Sequence, residues 1–170
     1  QWHAALEAWR LAGQAASALE CSSDALLHFE LALHIARTPE HSLMDQAPAL
    51  GLAAGHAAMQ CQGYGSTHAH GLFQAIHDEM AALPAPTSAQ RTTLFEALAG
   101  LYMGSGSQGR NQGLLIAQRL NHLADGPAQR LMACFALGNS LFWRGRFKAA
   151  LAAQEEGIAL ARALGGRVRH

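Results

Sequence analysis

The residues with the plainest capacity for chemistry are histidines. The chain carries ten, and the densest group is His68-Ala69-His70, followed by His77-Asp78. Metal ligands on a helix recur three or four residues apart, as in HExxH, because that spacing puts two side chains on one face. His68 and His70 are two apart, so on a helix they diverge by about 160°. A His68/His70/His77 metal site would need turn geometry or a partner chain. The plainer reading is that His is a polar surface residue here, and His28, His34, His41, His122 and His170 fit the same reading. There is no HExxH, no paired Cys ligands and no cluster of three carboxylates, so no metal or other cofactor is expected.

Other motifs resemble chemistry only on paper. Gly104-Ser105-Gly106-Ser107-Gln108-Gly109 spells GxGxxG. A dinucleotide loop must follow a strand so that its backbone donors meet a pyrophosphate. Here the run follows helical pattern and lacks the Lys-Ser/Thr ending of a P-loop, so it reads as an inter-helix turn. Cys21, Cys61 and Cys134 form no CxxC pair. They read as reduced thiols buried as small hydrophobes. Glu155 and Glu156 are adjacent and read as solvated. Arg162, Arg167 and Arg169 make a modest basic end suited to a helix C-terminus. No local signature frames a nucleophilic triad. The segment is therefore expected to be non-catalytic.

Composition bounds the scaffold. The 170 residues make one ordinary domain, and half are apolar. Charged residues are 14%, against roughly 25% in an average soluble protein. Lys+Arg and Asp+Glu are 12 each, giving a net charge of zero. This supplies neither the basic footprint of a nucleic-acid binder nor a polybasic patch for an anionic membrane. There is no basic-then-apolar leader and no apolar run near about 18 residues, so a cytoplasmic location is expected. The chain opens at Gln1 already inside helical pattern and reads as a piece of a longer multidomain protein. With 36 Ala against one Val and four Ile, a sheet is excluded and helix favoured.

Apolar spacing of three and four residues runs almost throughout and predicts eight helices. They span about 2–19, 23–37, 43–62, 66–83, 88–103, 108–123, 127–144 and 146–164. Ser22 or Ser23 is expected to cap the second and Ser88 the fifth. Gly63-Tyr64-Gly65, the Pro84-Ala85-Pro86 run, Asp125-Gly126-Pro127 and Gly145 separate neighbours. Short connections imply antiparallel hairpins. Pairs begin near 2, 43, 88 and 127, a period of roughly 40 residues that marks a helical-hairpin solenoid. The expected fold is all-α: a solenoid of about four hairpins in a single repeat domain over residues 1–170.

Two stretches carry an internal match. Gly13 precedes Ala25 by twelve residues, with Trp9 before it and Phe29 and Ala32-Leu33 after. Gly138 precedes Ala150 by twelve, with Phe147 between them. Gly55 and Tyr64 fit in part, and Gly100 with Gln112 fits least. This pattern resembles the tetratricopeptide repeat. The run from Leu137-Gly138-Asn139 through Phe142-Trp143-Arg144-Gly145-Arg146-Phe147 to Ala150, continuing through Glu156-Gly157-Ile158, is further similar to the tetratricopeptide region of large bacterial signalling ATPases. In that group the region follows a P-loop ATPase, itself preceded by a class III nucleotide cyclase or a DNA-binding domain. Their catalytic motifs have no counterpart here, so the resemblance implies a context and lends no active site.

A hairpin solenoid binds partners on the concave face lined by the first helix of each pair. By that geometry the groove candidates are Glu7, Arg10, Gln14 and Ser17; then Leu52, His56, Met59 and Gln60; then Leu94, Ala97 and Leu101; and finally Phe135, Asn139, Phe142 and Trp143. Phe142 and Trp143 suit interface anchors, though Trp143 equally suits a buried position. The implied role is a regulatory or sensor arm that binds a protein, a peptide or a small effector and makes no direct contact with nucleic acid or membrane. The alternative is a free-standing adaptor, and behind it a His-cluster metalloprotein. Terminal helices lacking polar caps imply self-association.

Overall fold

A computed structural model describes residues 1–105 and 110–165. Those residues form eight α-helices and no strand. They are α1 (Trp2–Ala18), α2 (Ser22–Arg37), α3 (Ala47–Gln62), α4 (Thr67–Ala81), α5 (Ser88–Gly104), α6 (Arg110–Leu123), α7 (Pro127–Phe142) and α8 (Phe147–Ala163). No helix among the described residues is long and apolar enough to cross a membrane. The chain divides into two compact units, Gln1–Gly100 and Leu101–His170, with the boundary inside α5.

Local signals set most helix ends. Ser66 accepts from the Ala69 N–H at 3.1 Å and caps α4. The cap of α5 is Thr87 rather than the expected Ser88. Thr87 Oγ1 accepts from the Gln90 N–H at 3.3 Å, and Gln90 Oε1 accepts from the Thr87 N–H at 2.8 Å. This reciprocal pair is a capping box. The second helix has no side-chain cap: Cys21 holds the cap position. The expected caps, Ser22 or Ser23, are the first two helical residues, and Ser22 Oγ donates to Gln60 Oε1 at 3.2 Å. The third helix starts at Ala47, four residues after the expected Leu43. Two 3-10 turns, Pro39–His41 and Met44–Gln46, fill the gap, with Ser42 left-handed between them. Pro48 then sits in the first turn of α3, where its missing donor costs nothing.

In the first unit α1 packs on α2, α2 on α3 and α3 on α4. Small residues let the helices close. A Cβ on Gly13 would come within 2.7 Å of the Phe29 ring, and one on Gly55 within 2.8 Å of the Phe73 ring. Gly100 of α5 approaches the same Phe73 ring, where a Cβ would stand at 2.6 Å. Phe73 thus fills the space between two glycines from different helices and is almost wholly buried.

In the second unit α6 packs on α7 and α7 on α8. Leu114, Leu141 and Ala150 form a core cluster with Leu137 and Ala149 against it. A buried polar network ties the end of α5 to α7. The Tyr102 hydroxyl donates to the Ala136 carbonyl at 2.9 Å and accepts from Asn139 Nδ2 at 3.2 Å and Ser140 Oγ at 3.4 Å.

The first and last hairpins share one geometry. In α1–α2 the Cys21 N–H bonds to the Ala16 carbonyl across the left-handed Glu20, and Gly13 meets Phe29. In α7–α8 the Arg146 N–H bonds to the Leu141 carbonyl across the left-handed Gly145, and Gly138 meets Gln154. Every residue in the second set stands at the same spacing as its counterpart in the first. Both turns are Schellman-type helix ends, and Ala25 and Ala150 are buried at matching points.

Candidate binding surface

Each unit carries its own part of the sequence-derived surface. On α1 the polar residues Glu7, Arg10, Gln14 and Ser17 recur at helical spacing along one flank, all at least partly accessible. Arg10 Nε donates to Glu7 Oε2 at 2.7 Å. That bond holds the Glu7 carboxyl below its ordinary range and raises the Arg10 guanidinium. The flank therefore offers one fixed ion pair and two neutral hydrogen-bonding side chains.

On α3 the candidates split. His56 and Gln60 are exposed, whereas Leu52 and Met59 are buried. Met59 is only 8% exposed, so neither it nor Leu52 is open to a ligand. The cause is that α3 packs on α2 and on α4 at once, which leaves little of it free. Leu94, Ala97 and Leu101 of α5 are likewise core residues. His56 lies edge-on to Phe73, with centroids 5.2 Å apart. Desolvation on that side lowers its pKa, opposed in part by the Glu96 carboxylate.

The second unit presents the aromatic part. Phe135 is exposed and edge-on to Tyr102 at 6.4 Å. Asn139 is half-buried and engaged with the Tyr102 hydroxyl. Trp143 is 62% exposed, which rules out the core position that its sequence context also allowed. Phe142 touches Trp143 and Phe147, with ring centroids 5.6 and 5.5 Å apart. The three rings form an exposed cluster at the α7–α8 turn. In the sequence Phe147 stands only as a spacing match between Gly138 and Ala150, and beyond the turn at Gly145 it lies on the surface. The only prior signal was its closeness to Phe142 and Trp143.

Several other polar groups pair within or between helices. His68 Nε2 pairs with Glu30 Oε1 at 2.8 Å and links α4 to α2, while His77 Nδ1 lies 2.9 Å from Asp78. His28 stacks on Trp9 at 5.3 Å. No group of three or more His, Cys, Asp or Glu arranged to hold a metal ion occurs among the described residues. Glu156, expected to be merely solvated, accepts from Arg130 Nε at 2.6 Å and bridges α8 to α7; the bond to Arg130 lowers its pKa. Cys21 and Cys61 are exposed, contrary to the expectation of three buried thiols, and only Cys134 is buried. Burial pushes the Cys134 thiol up. Most of the GxGxxG run, residues 106–109, lies outside the described residues, as do Arg167 and Arg169. Its opening Gly104 ends α5.

No family model matches the chain, and neither any curated protein nor any solved structure matches it.

Proposed function

We propose that this chain is a tetratricopeptide-like repeat module that binds a protein, a peptide or a small effector and catalyses nothing itself. It serves as the regulatory arm of a larger bacterial signalling protein whose ATPase lies elsewhere. The observation that carries the repeat reading is the shared geometry of α1–α2 and α7–α8, where close-approach glycine, left-handed turn and buried alanine recur at identical spacings. Units of this kind bury their apolar faces only against like neighbours and leave one face for ligands. The Phe142, Trp143 and Phe147 cluster supplies rigid aromatic area of the sort that anchors interfaces. An occupant there would act by preferring one state of an attached switch, since binding shifts an equilibrium only by its differential affinity.

The test is the coding frame upstream of Gln1. A strand followed by GxxxxGKS or GxxxxGKT, with a cyclase or DNA-binding domain before it, upholds the reading. A frame that opens within a few residues of Gln1 overturns the signalling role and leaves a free-standing adaptor. In the full-length protein, Trp143→Ala is expected to weaken the ATPase response to a partner while the helical circular dichroism is kept. Loss of the helical signal in that variant would mean that Trp143 holds the fold.

A further inference from the structure

A net charge of zero hides a segregation of charge. The first unit, residues 1–100, holds three Lys and Arg against nine Asp and Glu, and the second, residues 101–170, holds nine against three. Between Asp125 and Glu155 there are four cations and no acid. Three of the four, Arg144, Arg146 and Lys148, interleave with Phe142, Trp143 and Phe147 over seven residues, and all six are exposed. The aromatic cluster at the α7–α8 turn is thus an apolar patch set in positive charge.

The same turn closes without either feature elsewhere in the chain. Laying α1–α2 on α7–α8, Gly13 on Gly138 and Glu20 on Gly145, puts Ser17, Ala18 and Ser22 at the places of Phe142, Trp143 and Phe147. The backbone bond across the turn is nevertheless the same in both hairpins. Cys21 and Ser23 stand at the places of Arg146 and Lys148. The first turn of α2 carries Asp24, whereas the first turn of α8 has no acid. Cations at a helix N-terminus oppose its dipole, so Arg146 and Lys148 work against the helix that they open. Ser17 and Ala18 are exposed although α3 packs on α2. The Phe142 and Trp143 positions are therefore open in a hairpin that has a following neighbour.

Charge and ring packing together select the occupant. Cations around an apolar patch complement carboxylates, which a guanidinium grips with two parallel bonds. Nucleic acid fits less well. Three cations are few beside the roughly six to ten phosphate contacts of a tight binder. Bases also need separate ring faces on which to stack, whereas these rings meet edge to face at 80° and 64° and form one patch.

We propose that the α7–α8 turn binds an acidic peptide segment. An aromatic or aliphatic side chain of that segment seats against Phe142 and Trp143, and flanking Asp or Glu side chains pair with Arg146 and Lys148. This rests on the ligand-binding reading above and names the chemistry of its partner.

Selection from a displayed random-peptide library on the full chain tests it, repeated on Trp143→Ala and on the double variant Arg146→Glu/Lys148→Glu. Acids are favoured at a helix N-terminus, so the double variant is expected to keep its helical circular dichroism. The wild-type chain is expected to enrich peptides with Asp and Glu around an apolar residue. In fluorescence anisotropy, such a peptide is expected to bind at least about tenfold more weakly to either variant, and to weaken as salt rises. If Trp143→Ala loses helical signal, the double variant decides. Enriched peptides that are neutral or basic and still require Trp143 overturn the proposal and leave the ligand-binding reading standing. Acidic peptides that bind both variants as tightly as the wild type overturn both. A library that yields no enrichment overturns the proposal. So does a labelled oligothymidylate that binds as tightly as the acidic peptides and is lost in the same variants, which would assign the turn to single-stranded nucleic acid.

Discussion

Gly13→Ala and Gly138→Ala add the same methyl group at matching points of two hairpins, and the structure separates their outcomes. A Cβ on Gly13 would stand 2.7 Å from Cδ1 and Cε1 of Phe29 and 3.0 Å from Cζ. Phe29 is a buried ring, so an added methyl overpacks it. Overpacking of this kind costs about 1–3 kcal/mol. Alanine returns about 1 kcal/mol over glycine in a helix interior. Gly13→Ala should therefore be destabilising by about 0–2 kcal/mol. A Cβ on Gly138 would stand 2.5 Å from Nε2 of Gln154 and 2.9 Å from its Cδ and Cγ. Gln154 is partly exposed and flexible, so it can swing aside. The propensity term then dominates, and Gly138→Ala should stabilise by up to about 1 kcal/mol. Comparing the two variants cancels the propensity term and leaves about 1–3 kcal/mol due to the ring alone. Urea unfolding followed by circular dichroism, at unchanged m-value, reads this directly. Equal effects in the two variants, or a stabilised Gly13→Ala, would refute the claim that the glycine is there to admit Phe29.

Four further outcomes follow from named contacts. Glu20 is left-handed where its counterpart is Gly145, so Glu20→Gly should raise the thermal midpoint, by up to about 1 kcal/mol of stability; an unchanged or lower midpoint would argue against strain at this turn. Tyr102→Phe strips a donor from the Ala136 carbonyl and an acceptor from Asn139 and Ser140, and should cost about 1–3 kcal/mol in the urea experiment. His56 is exposed on one side, but desolvation of the side turned to Phe73 holds its pKa below its ordinary 6.5. The folded state thus resists protonation, and the protein should lose stability as pH falls from about 6.5 toward the lowered value. His56→Gln should reduce the drop in urea midpoint between about pH 7.5 and pH 5.5, and an identical drop in the variant would show that the ring is solvated. Thiol labelling of the folded chain should modify Cys21 and Cys61 quickly and Cys134 only on unfolding, because only Cys134 is buried with its thiol pushed up; three equal rates in mass spectrometry would contradict this.

The helices and the places where they stop were legible in the residues, because both are local properties. Apolar spacing fixed the eight segments, and Gly145, Gly63 and the Pro84–Pro86 run ended them where steric rules require. Errors at helix starts were small and had local causes. Thr87 displaced Ser88 because Gln90 completes its capping box, and Pro48 drew the start of α3 inward. The close-approach glycines Gly13 and Gly138 could likewise be picked from spacing alone.

Exposure was the part that only the tertiary structure decided. Periodicity gives the angle of a side chain about its own helix and says nothing of how many neighbours that helix has. Met59 and Leu52 were placed on an open face, yet α3 is held from two sides and both are buried. Trp143 had no preference in sequence, and the turn at Gly145 put it outside with Phe142 and Phe147. Leu26 and Leu151 are the same residue type at matching points of two hairpins. One is buried and the other exposed because α3 packs on α2, whereas beside α8 the described chain offers no equivalent helix.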